Sequence, residues 1–257
     1  MVDGGVGYSR VGHPSVEDGM ELPWVVWPES AAELEALQRR LAAVAETVSR
    51  WTPPAGRDAV IGAVFCAHRR GEPGPGEAGE PIWLGAVLML GRAVVERATL
   101  RSVTGAGYAP GLLALREGPA LELAVRALRL APDVLLVDAT GSDHPHGGGL
   151  ALHLGARLGT PTVGVTDRPL IAQGSPPGAT SGSVAELRLG SALVGYQLRS
   201  AVGTRPIAVH AAWRTSPEVA LEVVRLALLR HRTPEPLREA RRIARALRYE
   251  ETRSDPA

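Results

Sequence analysis

The chain has 257 residues, 45% of them hydrophobic, and a formal net charge of +1 at pH 7. That is enough to bury a core as one domain, and the near-neutral balance excludes a global basic field, so any nucleic-acid affinity must come from a local patch. The single cysteine excludes an internal disulfide, and no apolar run reaches the roughly 18 residues of a membrane span, so a cytoplasmic protein without membrane contact is expected.

Residues 1–29 are rich in glycine and charge, have little periodicity, and read as an N-terminal extension, disordered or loosely packed. Pro28-Glu29-Ser30 opens a helix whose Leu34, Leu37, Leu41, Val44 and Val48 recur at helical spacing. Strands are predicted over 59–67, 82–90 and 94–103, three in succession and therefore hairpin-linked. The pattern then alternates: a helix over 119–130 with Pro119 in its first turn, a strand over 134–138, a helix over about 148–158 and a strand over 161–165. A polar excursion over 173–182 leads to short strands at 184–189, 191–198 and 206–210. Ser216 caps a helix that runs to Leu229, and Thr233-Pro234-Glu235-Pro236 opens the last one, with arginines 238, 241, 242, 245 and 248 on its polar side. Residues 30–249 thus read as a single α/β domain, a mixed sheet flanked by helices, with 250–257 as a tail.

The chemistry concentrates between Tyr108 and His153. Asp138 closes the apolar run Val134–Val137, which reads as a buried parallel strand, and open α/β sheets place ligands at the carboxyl ends of such strands. Glu117 precedes Gly118-Pro119 at the predicted helix start. If that helix packs on the strand, the two carboxylates converge, and a hard divalent cation such as Mg²⁺ is often held by only one or two carboxylates. Read singly, Asp138 is a turn cap at a strand end and Glu117 a helix N-terminal acid favoured by the dipole.

Two long motifs decide between these readings. YAPGLLALREGP (108–119) resembles the YxPGLLxxREGP signature of the endonuclease V family, and VDATGSDHPHGGGLALHLG (137–155) resembles its VDGxGxxHPRxxGxAxHxG. PTVGV, VGYQLRS, RPIAV and the TPEP opening of the last helix are similar to further family blocks in the same order, over roughly residues 31–249. The resemblance implies a ribonuclease H-like fold and metal-dependent cleavage of DNA near deoxyinosine, with inosine in RNA as the alternative substrate. It implies Asp138 and Glu117 as ligands of Mg²⁺, or of Mn²⁺, and His144 as a group touching phosphate or holding a water. Tyr108, Ala109, Pro110 and Gly111 match the family's wedge, which presses into the minor groove while the altered base swings into a pocket. Gly141 and glycines 147–149 would let backbone amides approach base or phosphate. Neighbouring Asp143 and His146 read as loop surface, and His153 as packing. A monomer acting on nucleic acid is expected.

Three positions depart from the family pattern. Val64 stands where the first strand carries a metal-ligand aspartate, Asp167 where a lysine belongs, and Trp213 where a histidine belongs. Whether the chain is an enzyme is therefore left open: cleavage reduced or changed is one expectation, a non-cleaving binder using the Tyr108 wedge the alternative. Asp167 either supplies the carboxylate that Val64 cannot, completing a Glu117–Asp138–Asp167 site, or pairs with Arg168 or Arg214. Cys66, on the same strand face as Val64, reads as core, because thiolates suit softer metals than such a site would hold.

Overall fold

The computed structural model describes residues 22–71 and 74–254. The expected loose extension lies outside the described residues as far as residue 21. Within 22–29, Val25 is fully buried and the Trp27 indole donates to Glu122, so this stretch lies against the core.

An eight-stranded mixed sheet runs in the order β3-β2-β1-β4-β5-β8-β7-β6. Strands β1 (Val60–His68), β2 (Pro81–Leu90) and β3 (Ala93–Val103) form the expected antiparallel meander. Strands β4 (Val134–Val137) and β5 (Thr162–Thr166) add in parallel, each after a helix, and β8 (Ile207–Ala211), β7 (Ala192–Leu198) and β6 (Val184–Leu189) complete the sheet antiparallel.

Side chains alternate between faces along a strand, and that alternation builds two cores. Val64, Cys66, Leu135 and Val137 face α1 (Ala31–Ala45), α2 (Leu113–Arg126) and α3 (Leu150–Leu158). Ile61, Ala63, Val134 and Leu136 face α4 (Pro217–Ala227) and α5 (Glu235–Ser254). Ser30 caps α1 in a reciprocal box with Glu33, and Ser216 caps α4 with Pro217 in the first turn. Helix α5 continues past the expected boundary at residue 249 to Ser254, and 255–257 lie outside the described residues.

Helix α2 departs from the expected start at Pro119. It begins at Leu113 and contains Pro119. Proline brings no N–H to the turn before it, which normally costs a helix dearly. Pro119 leaves the Leu115 carbonyl without its i+4 donor; at the next carbonyl, that of Arg116, the Gly105 N–H from the loop after β3 donates at 3.0 Å and ties this turn of the helix to the sheet edge. Glu117 consequently sits mid-helix, one turn beyond the wedge sequence, rather than at a helix N-terminus.

Candidate nucleic-acid and metal site

The wedge residues are presented on a braced turn. Tyr108 is 54% exposed and Pro110 is exposed beside it, with Ala109 half-buried. Gly111 takes φ +81°, a backbone conformation that favours glycine. Its carbonyl accepts from Gln38 Nε2 at 3.1 Å and from His144 Nε2 at 3.0 Å. On the other flank, the buried Arg116 donates to the carbonyls of Pro75 and Ala106 and to Glu80, while the Tyr108 N–H donates to the Pro75 carbonyl.

His144 is buried, and its Nδ1 accepts the His146 N–H at 3.2 Å. With Nε2 on Gly111, both ring nitrogens are engaged and the imidazole is fixed neutral. Burial lowers its pKa further. In this arrangement the ring holds the wedge turn and has no free nitrogen for a water or a phosphate, in contrast to the expected role.

Other expectations from the same motif change as well. Asp143 is fully buried instead of lying on the loop surface, and its carboxylate accepts the N–H groups of Leu170, Ile171 and Ala172 at 2.7–2.9 Å. His146 is half-buried against Gln38. Gly141 is packed so tightly on β8 that a Cβ there would lie 2.0 Å from the Ala211 carbonyl. Glycines 147–149 likewise pack against α1 and Thr140, so the smallness of these residues serves close approach of one part of the fold to another. His153 is buried as expected; its Nε2 donates to the Val26 carbonyl, with the Trp27 ring 4.2 Å away.

The acids meet only in part. Asp138 continues the alternation of Val134 and Leu136 and so turns toward α5, where Arg241 Nη2 holds its Oδ2 at 2.9 Å. Arg241 also donates to Thr233 and lies over the Phe65 ring. Burial pushes the Asp138 carboxyl pKa up; Arg241 opposes this, and the nearby charges of Glu117 and Asp167 add to it. Glu117 and Asp167 therefore both act on Asp138 at the ends of β4 and β5. Glu117, however, approaches from the α2 face and bonds His68 Nε2 at 2.7 Å. Asp167 pairs with Arg232, not with Arg168 or Arg214, and is 63% exposed; the hydrogen bond and charge of Arg232 hold its carboxyl below the usual range.

The replaced positions are filled by packing. Val64 is buried in the core beneath α2, and Trp213 is buried between β5 and α3, its backbone exchanging hydrogen bonds with Thr162. Cys66 is buried as expected, yet its thiol sits 3.6 Å from His68 Nε2. Gln38, His68, Arg116 and Arg241 escaped the sequence reading. For His68 a signal existed, since it follows Cys66 by two residues on one strand and so shares its face. Arg241 was one of five polar-side arginines on the last helix, with nothing to single it out.

An eight-stranded mixed sheet flanked by helices, with an acid at the end of a central parallel strand, defines a protein of the ribonuclease H-like class. A family model for Endonuclease V matches residues 79–242. An endonuclease V of Thermus thermophilus is 37% identical over 234 residues, 86% of this chain and 95% of that one. The crystal structure of Streptomyces avermitilis endonuclease V superposes with a TM-score of 0.76 at 31% identity, covering 88% of this chain and 96% of the other. The fold also matches, at TM-score 0.71 and 19% identity over 87% and 99% of the two chains, a Ciona intestinalis endonuclease V in complex with a 24mer DNA containing an inosine followed by a ribo-adenosine. The chain belongs to the endonuclease V family, and that family implies a divalent metal. The span matched by the family model begins after β1, the strand in which Val64 replaces the expected acid.

Proposed function

We propose that this chain, as a monomeric cytoplasmic protein of one domain over residues 30–249, is a nucleic-acid endonuclease acting at inosine or a similarly altered base in DNA. Its phosphodiester cleavage is held down by the arginine seated on Asp138. The wedge supports the recognition half: Tyr108 and Pro110 are exposed on a turn that His144, Gln38 and Arg116 hold in place. The Ciona relative was crystallised on inosine-containing DNA.

The observation that carries the restraint is the Arg241–Asp138 ion pair. The hard ion such acids would hold is Mg²⁺ or Mn²⁺. With a guanidinium on Asp138, an imidazole on Glu117 and valine at position 64, the donors as arranged do not fit it. A bound arginine already satisfies the electrostatic demand that a dication would meet.

A nicking assay with Mg²⁺ or Mn²⁺, run beside a gel shift on the same inosine oligonucleotide, tests this. The expected result is a salt-sensitive shift with slow nicking, abolished in Asp138→Asn and raised at least about ten-fold in Arg241→Ala, a barrier change of about 1.4 kcal/mol. Absence of any shift, or nicking indifferent to Asp138→Asn, contradicts the reading. The burial of Val64 and Trp213, which leaves no metal-binding group at either position, favours a second reading as a non-cleaving binder. That reading expects a shift that survives EDTA, weakens in Tyr108→Ala, and comes with no nicking in any variant. Inosine RNA as competitor separates the two nucleic acids.

A further inference from the structure

Strand β1 carries valine at position 64, but two residues further along the same face it carries a thiol, and two further an imidazole. Helix α2 lays Glu117 across that end of the strand. One ligand atom from each of Cys66, His68 and Glu117 lies within 4.8 Å of the other two. We propose that these three residues form a site for a borderline divalent transition ion of the zinc class, with a fourth position open to water. The site shares only Glu117 with the acids discussed above and does not depend on the cleavage reading.

The distances favour such an ion. With Zn–S near 2.3 Å and Zn–N near 2.05 Å, tetrahedral geometry sets sulfur and nitrogen about 3.6 Å apart. Cys66 Sγ and His68 Nε2 stand at 3.6 Å. The His68–Glu117 separation of 2.7 Å is that of a hydrogen bond and must open to about 3.4 Å on loading. Glu117 is a flexible carboxylate, whereas the two β1 donors are fixed by the strand.

The donor types also favour it. A thiolate and an imidazole select zinc-like ions over Mg²⁺, and three protein ligands plus water is the pattern of open rather than purely structural zinc sites. Thiolate and carboxylate together bring two negative charges to a dication. Without the ion, burial and Glu117 push the Cys66 thiol up and keep it protonated, so loading must release its proton to water. The His68 proton moves from Nε2 to Nδ1. Arg116, now 3.3 Å from Nδ1, keeps its bonds to the Pro75 and Ala106 carbonyls. Arg116 gives up its contact with Nδ1 and keeps Glu80, 3.2 Å away, as a partner. His68 is one-third exposed, which gives an ion a way in from solvent.

Co²⁺ titration of the untagged, metal-stripped full-length protein tests the proposal. Because Cys66 is the chain's single cysteine, a thiolate-to-cobalt charge-transfer band has one source. The expected result is that band at one ion per chain, displaced by Zn²⁺, absent in Cys66→Ser, and formed with at least about ten-fold weaker affinity in His68→Ala and Glu117→Gln. Asp138→Asn is expected to leave it unchanged. Saturating Co²⁺ without the band overturns the site. So does a band whose affinity ignores both His68→Ala and Glu117→Gln, since the thiol would then act alone.

Discussion

His144 shows how one side chain reads differently in sequence and in space. In the motif it looks like chemistry; in the fold it is a brace, neutral, buried and bonded at both nitrogens. His144→Ala leaves the Gly111 carbonyl with Gln38 as its one side-chain donor among the described residues and opens a cavity under the wedge. It should cost about 1–3 kcal/mol of stability by denaturant unfolding and weaken the gel shift on inosine DNA, while Co²⁺ affinity stays as in wild type. A variant as stable as the parent contradicts the brace. Asp138 was legible because an aspartate ending a short buried run is placed by strand geometry alone. Arg241 was not, because which of several arginines on one helix face meets an acid 103 residues away depends on helix register against the sheet.

The element that controls the acid is α5. It packs on β1 and β2 at a distance set by Gly85, where an added Cβ would lie 2.5 Å from the Ala240 carbonyl and 2.6 Å from the Ile243 side chain. Gly85→Ala must therefore lift α5 at the residue before Arg241. The expected cost is about 1–3 kcal/mol of stability, as for other overpacked cores. If Arg241 restrains cleavage, nicking measured below the melting temperature rises with it; unchanged stability and unchanged nicking would contradict the packing account. Most strands and helices were legible from periodicity because each is half-buried and shows its buried face in its pattern. The start of α2 was not, because Pro119 is a strong stop signal, and the contact that ties this turn to the fold comes from Gly105, remote from the local pattern.

Across the whole molecule, two helical layers enclose a sheet whose interior holds neutral imidazoles. Burial pushes His153 down to about 4, and lowers His144 as well. The unfolded chain takes up these protons first, so the stability they permit is fully present above about pH 6.5 and is lost as pH falls toward 4. Each such group steepens the decline by at most about 1.4 kcal/mol per pH unit. Asp138 acts in the opposite sense: its raised carboxyl favours the folded chain at low pH, and that share is lost as pH rises through the folded value. Thermal melts from pH 7 to 4 should therefore show a steady fall in Tm, shallower in His153→Gln if that variant folds. A flat profile would mean the buried histidines are already charged. The fold class was legible from three leading strands followed by strand–helix alternation, because topology follows from element order. The division of the acids between two faces of the sheet was not, since it turns on single-residue alternation at strand ends.

Arg241 is paired with Asp138, the acid we propose as a metal ligand, in a family that implies a divalent metal. Mn²⁺ titration followed by electron paramagnetic resonance, in wild type, Arg241→Ala and Arg241→Ala/Asp138→Asn, tests it most directly. Weak binding is predicted in wild type, binding at least about ten-fold tighter once the arginine is gone, and loss of that gain in the double variant. Tight Mn²⁺ binding in wild type that Arg241→Ala leaves unchanged would contradict it.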